Sequence, residues 1–208
     1  MSEFVLQNEC TLMQYTQEVQ RRCTPFSCGD NDLDEFFKKD VFLYEEEMLG
    51  KSYCWVTNSN PHKIVCLMTI ANDSIKSSVL PKNSRNRFNR VFNNEKRNLT
   101  YPATLIGRLG VNVEFQGMHV GRQLMQYIKD QNIASDNDNA CRFLVVDAIN
   151  KVETLAYYEH NGFSYMHKTE ELERLALKRY DEDGNLVYEL SSDAPLHTRM
   201  MYFDLKKM

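Results

Sequence analysis

From Leu33 onward, apolar side chains recur at helical spacing. Leu33, Phe36, Phe37, Val41, Tyr44 and Met48 fall on one stripe, the pattern of a helix with one buried face. Asp32 precedes the stripe as an N-cap, with Glu35 three residues on in the register of a capping box. The run Glu45-Glu46-Glu47 reads as the solvated end of this helix. The period then changes. "YCWVTN" and "KIVCLMTIAND", separated by "SNPHK", are β-rich runs around an Asn/Pro turn and predict an antiparallel hairpin. "TLIGRLGVN" reads as an apolar strand interrupted by Gly107 and Gly110, the mark of a bulge or of a close approach by another group. Leu124, Met125 and Ile128 mark a helix from Arg122 to Ile133, and "CRFLVVDAI" reads as a buried strand. "KVETLAYYEHNGF" predicts a short helix stopped at Asn161-Gly162. The tail holds "RLALKRYDEDGNLVYEL", read as a hairpin around Asp183-Gly184-Asn185, and a last strand, "TRMMYFDL". The order predicts one α/β domain over residues 1–208 on a mixed sheet, with strands splayed around Leu109.

Composition narrows the class. The chain has 208 residues, 42% apolar and 26% charged, like an ordinary globular protein with a core of its own. A net charge of -4 is not that of a polycation built for nucleic acid. No apolar run approaches the roughly 18 residues of a membrane helix. "MSEFVLQNEC" lacks the basic-then-apolar pattern of a signal peptide, so the expected location is the cytoplasm. Cys10, Cys23, Cys28, Cys54, Cys66 and Cys141 form no C-x-x-C and no zinc-like pairing with histidine. They are expected as free, mostly buried thiols, and no metal is expected.

The stretch "IGRLGVNVEFQGMHVGRQLMQYI" carries the candidate chemistry. A strand runs into Gln116-Gly117-Met118-His119-Val120-Gly121-Arg122 and then into a helix. A helix N-terminus offers amides and partial positive charge to an anion. The spacing fits neither G-x-G-x-x-G nor a P-loop, and no Lys follows Gly121, which argues against ATP or GTP.

"LIGRLGVNVEFQGMHVGRQLM", "LVVDAIN" and "LAYYEHNGF" resemble the successive core motifs of the GNAT superfamily of N-acetyltransferases. That family's loop pattern is Gln/Arg-x-x-Gly-x-Gly/Ala. Gln116 and Gly121 match it, and His119 replaces the inner glycine. The resemblance implies the GNAT fold: a single mixed, mostly antiparallel sheet with a central splay, flanked by helices. It implies acetyl-CoA as cofactor, with pyrophosphate on the amides of Gln116 to Arg122 and pantetheine along Leu109, Gly110 and Val111. Where the position demands a positive φ, histidine is among the less penalised residues, and a cost of about 1 kcal/mol weakens binding without abolishing it. An imidazole turned toward a phosphate is the alternative role of His119.

"AYYEHNGF" is similar to the family's "FYEKxGF", which gives Tyr158 the role of proton donor to the departing thiolate and Tyr157 a packing role; core packing of both rings is the alternative reading. Asn150 is read as a cofactor ligand or, equally, as a strand-to-helix cap. His160 is read as an exposed helix end. No side chain stands out as general base, which suits an α-amine acceptor (pKa about 7.7–8) better than a lysine amine (about 10.4).

"FSCGDNDLDEFFKKDVFLYEEEMLGKSYCWV" resembles the N-terminal region of GNAT toxins of bacterial toxin–antitoxin pairs, through Phe26, Cys28, Gly29, Leu33, Phe36 and Phe37. Their core reads Gly-Arg-Leu-Ala-Val, near Gly107-Arg108-Leu109-Gly110-Val111. The resemblance implies acetylation of the α-amine of aminoacyl-tRNA and a ribbon-helix-helix antitoxin as partner, in a monomer or homodimer. A small-molecule or protein amine is the alternative acceptor, and a non-catalytic acyl-CoA-binding protein the third reading. The insertion near 76–100 is basic, with Lys76, Lys82, Arg85, Arg87, Arg90, Lys96 and Arg97 against Glu95, and Phe88 and Phe92 interleaved. Arg85, Arg87, Arg90 and Arg108 are therefore candidate acceptor-binding residues; a solvated loop is the plainer reading of the segment. The insertion near 168–195 is acidic and expected as a hairpin that covers a sheet edge or meets a partner.

Overall fold

The computed structural model describes residues 4–76, 78, 82, 86, 100–137, 141–181, 183–191 and 195–208. Two compact units divide the chain: Met1–Asn72 with Thr104–Ala140, and Asp73–Ala103 with Cys141–Met208. The first holds α1 (Leu6–Glu9), β1 (Cys10–Gln14), α2 (Gln17–Arg22), α3 (Asn31–Glu35), a π-helical turn (Phe36–Asp40), α4 (Val41–Glu46), β2 (Lys51–Thr57), most of β3 (Ile64–Lys76) and of β4 (Thr100–Val111), and α5 (Val120–Ile133). The second holds β5 (Phe143–Ile149), α6 (Val152–His160), β6 (Ser164–Tyr165), α7 (Glu170–Leu177), β7 (Arg179–Tyr180), β8 (Leu186–Tyr188) and β9 (Thr198–Asp204). Seven strands form a mostly antiparallel sheet in the order β1-β2-β3-β4-β5-β9-β6, with β4 contributing to both units. Thus the α+β sheet flanked by helices read from the sequence is the observed architecture.

The hairpin expected around "SNPHK" is β2 paired antiparallel with β3, and β1 pairs with the free side of β2. Cys54, Val56, Ile64 and Leu67 project from these strands into a core completed by Tyr15, Val19, Phe37 and Val41. Each large apolar side chain so buried contributes about 1.5–3 kcal/mol. Trp55 packs edge-on against Tyr127 of α5 at 5.2 Å.

Three expectations need correction. The N-cap of the first long helical stretch is Asp30, whose side chain accepts from the amides of Asp32 and Leu33; Asp32 lies inside the helix. The stripe does not run unbroken to Met48, which is exposed. A π turn at Phe36–Asp40 rotates it, so that Phe37 and Val41 are buried and Phe36 and Tyr44 only partly. The turn has a local cause: Tyr15 Oη donates to the Phe37 carbonyl at 3.1 Å, and Gln20 Nε2 donates to the carbonyls of Phe37 and Lys38 at 3.3 and 3.1 Å. Carbonyls engaged from outside tolerate the wider helical register. Finally, the acidic segment near 168–195 is not a hairpin throughout. It opens with helix α7, and only β7 and β8 pair.

In the second unit β5 pairs with β9 over its whole length and β9 also pairs with β6. Helix α6 ends where the sequence placed its stop: Gly162 has φ 81°, and the Phe163 amide returns to the Tyr158 carbonyl at 3.0 Å.

Candidate active site

Asn112, the buried residue that follows β4, ties the end of the strand to its neighbour. Its Nδ2 donates to the Ile64 carbonyl at 2.9 Å, its amide to the Val65 carbonyl at 2.9 Å, and its Oδ1 accepts from the Glu114 amide at 3.1 Å. A short 3-10 turn, Val113–Phe115, leads into the loop. Gly117 has φ 79°, and a Cβ placed there would meet nothing within 4 Å, so the glycine serves backbone conformation and leaves open space above the loop. His119 also has a left-handed backbone, with φ 59° and ψ 14°. It is the N-cap of α5, but its exposed side chain caps nothing. The first i→i−4 bond runs from the Gln123 amide to the His119 carbonyl at 3.1 Å. The first turn of this 14-residue helix presents backbone amides and the positive end of its dipole. This is an anion-binding geometry.

Gln116 faces the protein. Its Nε2 donates to the carbonyls of Cys28 and Val111 at 2.9 and 3.0 Å, so any contact with an anion comes through its backbone. Cys28 belongs to the Phe26-Ser27-Cys28-Gly29 segment, which is built into the loop. The Val113 amide donates to the Ser27 carbonyl at 2.9 Å. Asp34 organises that segment: its carboxylate accepts from Ser27 Oγ at 2.6 Å, the Cys28 amide at 2.7 Å and Cys28 Sγ at 3.1 Å. Partial burial works against the Asp34 charge, but the bonds from Cys28 and Ser27 outweigh it and hold the carboxyl below the usual range. Burial pushes the Cys28 thiol up to about 11, so it stays a donor.

The glycines of β4 have partners within the chain. A Cβ on Gly110 would lie 3.2 Å from Phe26 Cζ and 3.3 Å from Cys28 Cβ, and one on Gly107 would lie 2.8 Å from Thr69 Oγ1. The close approach signalled by the sequence is thus made by Phe26, Cys28 and Thr69. Leu109 and Val111, the other expected pantetheine contacts, are half-buried. Arg108 is exposed, with its guanidinium 5.1 Å from the Phe36 ring centroid and Nη1 donating to the Gly107 carbonyl.

Beside the loop lies a cavity of about 620 Å³ lined by Phe4–Gln7, His119, Arg122, Gln123, Gln126, Tyr127 and Asp130. Gln123 holds its N-terminal wall, accepting from the Leu6 amide at 2.8 Å and donating to the Phe4 carbonyl at 2.9 Å. The volume is in the range of small-molecule sites. Met118 and Arg122 are exposed, and Val120 is buried and anchors the helix start.

In the second unit, Tyr158 is 6% exposed and packs edge-on against Tyr157 and Phe163, with centroids at 5.1 and 5.3 Å. Burial alone raises its pKa well above that of an ordinary phenol. Asn150 is not the cap of α6, whose N-cap is Lys151. Its Nδ2 instead donates to Glu170 Oε1 at 3.1 Å and the Leu196 carbonyl at 2.9 Å. His160 is exposed at the helix end, as expected. Arg85, Arg87 and Arg90 lie outside the described residues.

No protein-family model matches this chain, and no curated protein matches it in sequence. Solved structures do. A tyrosine-to-phenylalanine mutant of KacT aligns with a TM-score of 0.63 at 16% identity, covering 96% of each chain. AtaT complexed with acetyl-methionyl-tRNAfMet aligns at 0.62, with 16% identity and 96% of each chain covered. AtaTR bound with AcCoA aligns at 0.58, with 16% identity over 96% of each chain. At this identity the likeness establishes architecture: the chain shares the fold of KacT and AtaT.

Proposed function

We propose that this protein is an acetyl-CoA-dependent N-acetyltransferase whose acceptor is the α-amine of aminoacyl-tRNA. The observation that carries the reading is the loop from Gln116 to Arg122, where left-handed residues at Gly117 and His119 lead into the amide end of α5. Backbone amides of this loop bind the diphosphate, and Arg122, exposed in the first turn, adds positive charge. Leu109 to Val111 at the end of β4 supply backbone groups for the pantetheine arm, and Asn150 is retained as a polar contact to it. Acetyl-CoA supplies an acyl group activated as a thioester. Tyr158 holds its proton at Oη through neutral pH, because burial disfavours the phenolate. It is the donor to a sulfur anion as that group leaves. An α-amine is substantially unprotonated near neutral pH and needs no strong base.

Three things support the tRNA acceptor: the similarity in fold to AtaT, solved with acetyl-methionyl-tRNAfMet, the Phe26-x-Cys28-Gly29 resemblance, and the basic run between Lys76 and Arg97. In that setting Arg85, Arg87, Arg90 and Arg108 contact the RNA backbone, an antitoxin silences the enzyme, and the reaction occurs in the cytoplasm.

The test is transfer of labelled acetyl from acetyl-CoA into charged tRNA, beside a panel of small amines and peptides. Label in aminoacyl-tRNA, reduced about 10²–10⁴-fold by Tyr158→Phe, is the expected result. Label confined to small amines or peptides refutes the acceptor. Absence of CoA binding refutes the whole reading.

A further inference from the structure

Helix α7 is amphipathic the wrong way round. Glu173 is 1% exposed, while Leu172 and Leu175 are 47% and 57% exposed. The charged side is inward because Glu173 anchors the helix: Oε2 accepts from Arg199 Nε and Oε1 from the Met200 amide, both at 2.6 Å. Arg199 in turn lies over the Tyr165 ring at 4.7 Å and donates to the His167 carbonyl at 3.1 Å. The leucines are thus held outward by a well-made internal contact.

The hairpin beside α7 repeats the pattern. Leu186, Val187 and Tyr188 are all exposed, on a two-stranded ribbon of a kind that is marginal in water without cover. Helix and hairpin form one surface, tied by Lys178 Nζ to Glu189 Oε1 at 2.5 Å and by Arg174 Nη1 to the Ser191 carbonyl at 3.0 Å. Exposed apolar side chains on a helix and on the hairpin tied to it mark an interaction site.

Charge decides the occupant. Residues 168–195 carry eight acidic against four basic side chains, enough to account for the whole net charge of -4. Among the described residues, Glu171 and Asp183 are exposed and have no ion-pair partner. A second copy docking through the same patch would oppose like charges across a two-fold axis, and an RNA backbone would be repelled. A basic, apolar polypeptide segment matches both the leucines and the acidic rim.

We propose that α7 and the β7–β8 hairpin form a docking surface for a basic amphipathic segment of a partner protein. The inference is independent of the acetyltransferase reading. The full-length protein is titrated with a synthetic amphipathic helix of leucine and lysine, and with its leucine–glutamate counterpart. Saturable one-to-one binding of the lysine peptide only, weakened at least tenfold by Leu172→Ser/Leu175→Ser, is expected. That variant keeps every charge and the Glu173 anchor, and its unfolding midpoint is measured alongside. Charge reversal at Glu171→Lys/Asp183→Lys is expected to weaken binding and flatten its salt dependence. Unchanged affinity in the leucine variant overturns the proposal, since attraction to acidic surface alone would then explain binding. Equal binding of both peptides, or of neither, also overturns it. Concentration-dependent dimerisation abolished by the leucine variant would assign the face to a second copy instead.

Discussion

Replacing His119 by glycine tests whether the loop pattern is strained or re-purposed. With φ 59° and ψ 14°, His119 holds a conformation that costs an L-residue about 1–2 kcal/mol. Its side chain is exposed and caps nothing, so His119→Gly removes no capping hydrogen bond of the folded chain. Glycine returns roughly 0.4–1 kcal/mol through the greater freedom of the unfolded chain. The expected net effect is stabilisation of about 0.5–1 kcal/mol, or a rise of about 1–4 °C in Tm for a chain of this size. His119→Ala keeps the Cβ and the strain while removing the imidazole, and is expected to stay within about 0.5 kcal/mol of wild type.

Affinity for CoA, measured by calorimetry on the same three proteins, separates the two roles. A merely tolerated histidine predicts unchanged or tighter binding in both variants. An imidazole that contacts a phosphate predicts weaker binding in both, about tenfold for a loss of about 1.4 kcal/mol. A lower Tm for His119→Gly would refute the strain argument itself.

Asp34→Ala removes three accepted hydrogen bonds from the Ser27–Cys28 turn and is expected to cost about 2–3 kcal/mol in urea unfolding, with CoA affinity falling about tenfold. Because the folded-state pKa of Asp34 is lowered, the stability gap between wild type and variant should be full above about pH 4 and close as pH falls below it. A gap constant down to pH 2.5 would count against the network. Gly110→Ala forces a Cβ to 3.2 Å from Phe26 Cζ and should destabilise by about 1–3 kcal/mol; a neutral Tm would show that Phe26 has room to move. Glu173→Ala leaves the Arg199 guanidinium buried without its carboxylate and should cost about 3–5 kcal/mol in thermal unfolding. A loss under 1 kcal/mol would mean that Glu170, 3.9 Å from Arg199 Nη1, takes over.

Where period and turn chemistry agree, the sequence was legible. The β2–β3 hairpin, α5, β5, α6 and β9 each combine a clear repeat with a turn residue or a polar boundary, and each is where it was expected. Long-range side-chain contacts were not legible. The π turn depends on Tyr15 and Gln20, which reach carbonyls 17 to 22 residues away. Asp30 and Asp32 are equally good caps on paper, and only backbone direction separates them. In α7 leucines are interspersed with charges, and a buried Glu173 inverts the rule that apolar residues face inward. At the site, the left-handed position at His119 follows from the loop pattern the sequence resembles, whose inner glycine His119 replaces. The reason for Gly110, the side chain of Phe26, was not legible.

Two motifs that the sequence presents separately are joined by Asp34. The Phe26-x-Cys28-Gly29 segment has no side chain suited to acyl transfer: its thiol is protonated and hydrogen-bonded to Asp34, and its aromatic ring is packed on Gly110. What it offers is carbonyls. Those of Ser27 and Cys28 receive the Val113 amide and the Gln116 side chain, so the position of the anion-binding loop follows from the turn that Asp34 holds. Under the proposed function, Asp34 is thereby a positioning residue for a ligand it does not touch. Disturbing it should lower CoA affinity with little effect on the chemical step once CoA is bound, whereas Tyr158→Phe should do the reverse. A double variant then gives losses that add, because the two residues act on different terms of the rate. If Asp34→Ala instead lowered kcat at saturating acetyl-CoA as severely as Tyr158→Phe, the N-terminal motif would be reaching the reacting atoms, and its assignment to loop support would fall.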